Sequence, residues 1–227
     1  MIKRKGVTAF EMSEIDRKAQ EIYGISQATL MENAGRAVAE AVIKDLVSLE
    51  KESIAVFCGK GNNGGDGFVA GRYLSEKNPR ELVIYTVSKD LPKSGAALEN
   101  FTRAKESGLI IRPLKDFLAL NENDISFTIG IDAIFGTGFK GDLPKECESL
   151  GKKLNSSNIK IYAVDIPSGL DATSGEAGEN VPKAEKTITF GLPKQGFFLK
   201  AGPNLCGKII IKDIGLPQEL LNPYLVN

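Results

Sequence analysis

GKGNNGGDG, Gly59–Gly67, stands between the apolar run SIAVFC (Ser53–Cys58) and the helix-like segment GFVAGRYLSEK (Gly67–Lys77). A plain turn needs one or two glycines, whereas this joint carries five, with Asn62, Asn63 and Asp66 among them. Gly59, Gly61 and Gly64 satisfy GxGxxG, a spacing that lets backbone approach a phosphate at a helix N-terminus. The context suits it, because a strand pattern precedes and a helix pattern follows. The amides and the carboxylate between the glycines can reach a ligand or a cation that backbone alone would not hold. The plain alternative is a tight turn closed by an aspartate helix cap. A dinucleotide fingerprint would also want an acidic residue about 20 positions on; Asp90 comes later, after the next strand pattern.

Outward from this joint the pattern alternates. Short β-rich runs occur at SIAVFC, ELVIYTV, LIIR, SFTIGIDAIF, IKIYAVDI, KTITFG and KIIIKDI. Helical stretches, DGFVAGRYLSEK, SGAALENFTRAKESG and PKECESLGKKLN, separate most of the early ones. Strand, helix and strand in repetition predict right-handed crossovers and an α/β fold with a mostly parallel sheet covered on both faces. Upstream, TAFE (Thr8–Glu11) fits a capping box. SQATLMENAGRAVAEAVIKDL repeats apolar residues at helical spacing through Met31, Ala34, Val38, Ala41 and Val42. No repeat or linker divides the chain, so residues 1–227 read as a single domain.

Composition narrows the functions. With 42% hydrophobic and 26% charged residues the chain is globular rather than disordered. Lys+Arg and Asp+Glu balance at 29 each, so nothing favours nucleic acid or an anionic membrane surface. Cys58, Cys147 and Cys206 lack CxxC spacing and read as reduced, buried thiols. MIKRKGVTAFEMSEID has no apolar core behind its basic residues, so neither a signal peptide nor a membrane span is expected and the cytoplasm is the expected compartment. The absence of histidine removes the commonest acid–base group.

Three more strand ends resemble the first. SFTIGIDAIFGTGFKGD places Asp132 near a strand end and then Gly136, Gly138 and Gly141; IKIYAVDIPSGLD ends on Asp165, followed by Ser168 and Asp171; TITFGLPKQG offers Gly191, Pro193 and Lys194. Each aspartate taken alone reads as a cap or turn residue. Four glycine-bearing ends on one sheet edge would line a single crevice.

MENAGRAVAEAV, GKGNNGGDGFVAGRYL, DAIFGTGFKGDL, AVDIPSGLDATSGE and TITFGLPKQGF together resemble the NAD(P)H-hydrate epimerases, the YjeF N-terminal domain family, in the family's order and over nearly the whole chain. The resemblance implies a Rossmann-like three-layer α/β/α domain, often homodimeric. It implies interconversion of the R and S forms of hydrated NADH and NADPH, which carry a hydroxyl at nicotinamide carbon 6. A partner dehydratase uses the S form; it is expected to be a separate chain, since 227 residues do not accommodate it. It further implies a potassium ion held by Asn63, Asp132 and Ser168. The substrate would contact Asn62, Asn63, Gly64, Gly65 and Asp66, then Gly136, Thr137, Gly138, Phe139, Lys140, Gly141 and Asp142, and Asp165.

The chemistry fits a strand-end carboxylate. The nitrogen beside carbon 6 can expel hydroxide, leaving a planar iminium that water attacks from either face; the step needs a proton donor and a base. With no histidine, Asp165 is the expected acid–base group. Asp132 is the weaker candidate, because a cation-bound carboxylate stays ionised. Lys89 and Lys194 also lie at strand ends and read as solvated surface, outside the catalytic set. Two readings compete. YLSEK (Tyr73–Lys77) and YTVSK (Tyr85–Lys89) imitate the Tyr-x-x-x-Lys pair of short-chain reductases, on a helix and a strand where the pair is misplaced. A non-catalytic nucleotide-binding or scaffold module would share the fold without needing this polar set.

Overall fold

The computed structural model describes residues 3–4, 6–87 and 91–226. Elements follow in the order β1 (Lys3–Arg4), α1 (Ala9–Glu21), α2 (Gln27–Lys44), β2 (Ser53–Cys58), α3 (Asn62–Ser75), β3 (Glu81–Thr86), α4 (Gly95–Glu106) and β4 (Ile110–Pro113). The chain continues through α5 (Leu114–Leu118), β5 (Ile129–Ala133), α6 (Lys145–Ser156), β6 (Lys160–Val164) and β7 (Lys186–Phe190). It ends with α7 (Gly202–Leu205), β8 (Lys208–Lys212), α8 (Gln218–Leu221) and β9 (Leu225–Val226), which pairs antiparallel with β1.

Each of the seven β-rich runs forms a strand of one sheet, in the order β4-β3-β2-β5-β6-β7-β8, and every pairing in it is parallel. The alternation of side chains across a strand separates two cores. Ile54, Val56 and Cys58 of β2 face one with Val38, Val42, Phe68 and Leu74 of α2 and α3, while Ala55 and Phe57 face the other with Phe117, Leu150 and Leu154 of α5 and α6. Both faces are therefore covered, and the three-layer α/β/α expectation holds, with a seven-stranded sheet that is parallel throughout.

Local sequence explains the helix starts. Thr8 caps α1: its hydroxyl accepts from the Glu11 amide at 3.1 Å, while Glu11 accepts from the Thr8 amide at 2.8 Å. Ser26 caps α2 by accepting from the Thr29 amide at 3.0 Å. α3 differs. Gly61 precedes it without a side-chain cap, and Asp66 lies inside the helix rather than capping it. The first intrahelical bond is from the Gly65 amide to the Gly61 carbonyl at 3.0 Å, so earlier amides remain available to a ligand.

The glycines mainly permit close packing. A Cβ on Gly64 would stand 1.9 Å from the Gly59 carbonyl oxygen, and one on Gly67 would stand 2.6 Å from the Ala133 Cβ. They seat α3 directly on β2 and β5, with its N-terminus at the strand ends.

Candidate active site

After β2 the chain builds β3 and β4 on one side, then returns to place β5 on β2's other side. Ligands of open α/β sheets bind at such reversals, beyond the carboxyl ends of the strands. A cavity of about 880 Å³ lies here, in the upper range of small-molecule sites (about 300–1,000 Å³). Lys60, Asn62, Asn63 and Asp66 line it from the β2–α3 joint, Phe135–Lys140 from the loop after β5, Asp165 from the end of β6, and Phe190 and Lys194 from β7 and its loop. β2, β5, β6 and β7 are consecutive in the sheet, so the four glycine-bearing ends do adjoin one another. α1 adds Met12, Ser13, Asp16, Arg17 and Gln20, and α2 adds Gln27, Leu30, Met31 and Ala34.

Asp165 is the most constrained of these residues. Its φ of 65° is left-handed, a conformation that costs a non-glycine residue on the order of 1–3 kcal/mol. Its amide is fixed by the Ile188 carbonyl at 2.7 Å. The Thr189 hydroxyl donates to its Oδ1 at 3.0 Å, and the Lys194 ammonium forms an ion pair with the same oxygen. Lys194 Nζ also donates to Thr189 Oγ1 at 2.7 Å, and its side chain is 1% exposed. Lys194 therefore is not solvated surface: the Gly191–Lys194 turn folds it inward, where Asp165 compensates its buried charge. Both bonds fall on Oδ1, which leaves Oδ2 for a ligand.

Two further carboxyls share the cavity. Burial pushes Asp66 well above the usual carboxylate range; Asp165 and Asp16 add to the rise and Lys194 opposes it. Burial likewise raises Asp16 to about 6, with Asp165 adding and Lys194 opposing. Asp16 escaped the sequence reading, although a signal was present. It stands at helical spacing among Met12, Ile15 and Ala19, the buried stripe of α1, where a carboxyl requires a reason.

Asp132 forms a different unit beneath the cavity. It is 1% exposed, and its Oδ1 and Oδ2 accept from the Ser168 hydroxyl at 2.5 Å and the Ser168 amide at 2.8 Å. The Ser168 hydroxyl in turn accepts from the Phe135 amide at 2.9 Å. Burial raises the Asp132 pKa against these bonds, and no ammonium or guanidinium among the described residues pairs with it. Asn63 packs against Gly136, the residue after Phe135, and its buried Nδ2 has no partner. A half-turn of that amide would exchange nitrogen for oxygen. A buried carboxylate, a hydroxyl and an amide oxygen are donor types that suit a weakly hydrated monovalent cation.

Of the expected contact residues, Asn62, Asn63, Asp66, Gly136–Lys140 and Asp165 line the cavity. Gly64 and Gly65 are buried in packing, Gly65 against Met31 and Gly64 against Gly59, and Gly141 and Asp142 are exposed outside the lining. Lys89 lies outside the described residues. Tyr85 is buried among Phe57, Phe117 and Phe127, and Tyr73 sits on α3, so neither reductase-like tyrosine faces the cavity.

A family model described as YjeF-related protein N-terminus matches residues 27–196. The chain belongs to this family. An NAD(P)H-hydrate epimerase of Elusimicrobium minutum is 41% identical over 221 residues, covering 96% of this chain and 99% of that protein. A bifunctional NAD(P)H-hydrate repair enzyme Nnr of Moorella thermoacetica is 36% identical over 219 residues; the match covers 95% of this chain and 41% of the larger protein. The crystal structure of the yeast protein ynu0 superposes with a TM-score of 0.81, covering 97% of this chain and 93% of that one at 23% identity, and so shares this fold. The family match begins after α1 and thus does not include Asp16.

Proposed function

We propose that this chain is an isomerase that interconverts the R and S forms of hydrated NADH and NADPH. The observation that carries the reading is Asp165: a strained carboxylate at the cavity floor, fixed by Lys194 and Thr189 through one oxygen. The names of its YjeF relatives supply the substrate class. The uncapped N-terminus of α3 suits the pyrophosphate, and the Phe135–Lys140 loop suits the nicotinamide end. Asp165 takes a proton from incoming water or returns one to the departing oxygen, while Phe135, Phe139 and Phe190 limit competing solvent.

Potassium belongs to the same reading, with Asn63, Asp132 and Ser168 as its holders. Its support is the buried carboxylate without a cation partner and the orphaned Asn63 amide. When bound, the ion supplies positive charge beneath the loops that shape the cavity. The S product suits a dehydratase, the activity that would consume it. Exposed Phe10 on α1 and Ile22 just after it would be covered in a homodimer. Among the described residues no helix is long and apolar enough to cross a membrane. Three buried free thiols suit a reducing compartment such as the cytoplasm.

The test is chromatographic. Purified hydrated NADH enriched in one form relaxes to the R/S equilibrium faster with the protein than without it, and Asp165→Asn removes the acceleration while binding persists. Full acceleration by Asp165→Asn would remove Asp165 from the reaction.

A further inference from the structure

An iminium at carbon 6 has two faces, and epimerisation requires hydroxide to leave one and water to arrive at the other. Asp165 is poorly suited to serve both. Its backbone is left-handed, its amide is bonded to Ile188, and its Oδ1 is held by Lys194 and Thr189. A group fixed in this way reaches one side of a bound ring.

A further wall of the cavity is α1, beside Gln27, Leu30, Met31 and Ala34 of α2, and α1 is firmly seated. Val7 bridges Lys194 in parallel: its amide donates to the Pro193 carbonyl at 2.9 Å, and the Gln195 amide donates to the Val7 carbonyl at 2.8 Å. The Ala9 amide donates to Thr173 Oγ1 at 2.9 Å. The start of α1 is thus tied to the turn that presents Lys194. From this wall Asp16 enters the cavity, and among the described residues its carboxyl takes no hydrogen bond or ion pair. A carboxyl on the core-facing stripe of a helix, without a structural partner, is available for chemistry.

We propose that Asp16 is a second catalytic carboxyl, transferring protons on the α1 side of the bound nicotinamide ring while Asp165 does so on the strand-end side. The proposal rests on the epimerase reading. In one direction the lone pair of N1 forms a π bond to carbon 6 and the carbon–oxygen bond breaks. Protonated Asp16 gives its proton to the departing oxygen, which leaves as water. A water molecule then bonds to carbon 6 from the opposite face, N1 recovers its lone pair, and the Asp165 carboxylate accepts the surplus proton. The reverse conversion exchanges the two roles, so one proton shared by the pair serves each turnover.

The charged groups facing Asp16 are Arg17 and Glu21 on its own helix, Lys60 and Asp66 from the β2–α3 region, Lys140 from the loop after β5, and Asp165 and Lys194 from the sheet edge. Burial and Asp165 raise Asp16 to about 6, so it carries a proton closer to neutrality than an ordinary aspartate. The phosphates of a bound dinucleotide raise it further. Activity should therefore fall as pH rises through a limb at or above about 6, where Asp16 loses its proton.

The experiment compares wild type, Asp16→Asn and Asp16→Glu for R/S relaxation of hydrated NADH between about pH 5 and 9, with thermal melts of each. Asp16→Asn is expected to lower kcat about 100-fold or more with little change in KM, to lose the alkaline limb, and to melt no lower than wild type at neutral pH. Asp16→Glu keeps the limb at reduced rate. If Asp16→Asn retains wild-type kcat, or keeps the limb at a lower rate, the proposal is overturned and Asp165 acts with another group. An inactive wild type overturns the epimerase reading itself, and this proposal with it.

Discussion

Asp132 and Asp165 belong to adjacent parallel strands, β5 and the end of β6, and both are drawn away from bulk water. Their partners differ. Asp165 meets the Lys194 ammonium and a threonine hydroxyl, and it opens into the cavity. Asp132 meets the hydroxyl and amide of Ser168 and lies beneath it. A buried carboxylate needs compensation, because the interior solvates ions poorly. At Asp165 the chain carries its own cation; at Asp132 it supplies only hydrogen-bond donors, the Ser168 hydroxyl and amide and the Ile134 amide. In the proposed reading the first arrangement transfers protons with a fixed geometry and the second holds the potassium ion.

Removing the carboxylate that faces the cavity should have the largest effect. Asp165→Asn is expected to lower the rate of R/S interconversion about 10³-fold, measured by chromatography, with dissociation of hydrated NADH changed far less. Lys194→Met tests the built-in cation. Leaving Asp165 buried without its partner should cost about 3–5 kcal/mol, read by denaturant unfolding, with activity lost in parallel. A variant as stable as wild type would mean that the ion pair matters little.

Asp16→Asn sharpens the contrast from the α1 wall. A folded-state pKa raised from 3.8 to about 6 favours folding below the unfolded value, and that contribution is lost as pH rises through about 6. At neutral pH the asparagine variant should therefore be more stable by up to about 3 kcal/mol, with no gain near pH 4. The smallest expected effect is at Asp132. Potassium should raise the wild-type melting temperature, each tenfold excess over Kd adding about 1.4 kcal/mol, while Asp132→Asn should melt at a temperature indifferent to potassium. Equal potassium responses in both proteins would break the proposed division of roles.

The strands were legible because β-branched runs such as IKIYAV and KTITF, bounded by glycine and proline, have few other ways to bury both faces. The capping box of Thr8 and Glu11 was legible because its partners are three residues apart. The run SFTIGIDAIF suggests a longer strand than β5, which ends at Ala133 before the chain turns toward the cavity at Phe135. Lys194 could not be told from a surface lysine, since its burial depends on Asp165, 29 positions away. The Asp132–Ser168 bonds span 36 positions. Asp16 is hard to read for another reason: it stands among charged residues of α1, and only its phase relative to Met12, Ile15 and Ala19 sets it apart.

In the proposed reaction Asp165, clamped by Lys194, converts one form of a hydrated nicotinamide into the other. Its most direct test follows the R/S ratio of hydrated NADH in potassium-containing buffer, with the protein, with Asp165→Asn and with neither. Rapid relaxation to equilibrium is expected with wild type and the uncatalysed rate in the other two. Relaxation at the uncatalysed rate with wild type, or equal acceleration by both proteins, would contradict it.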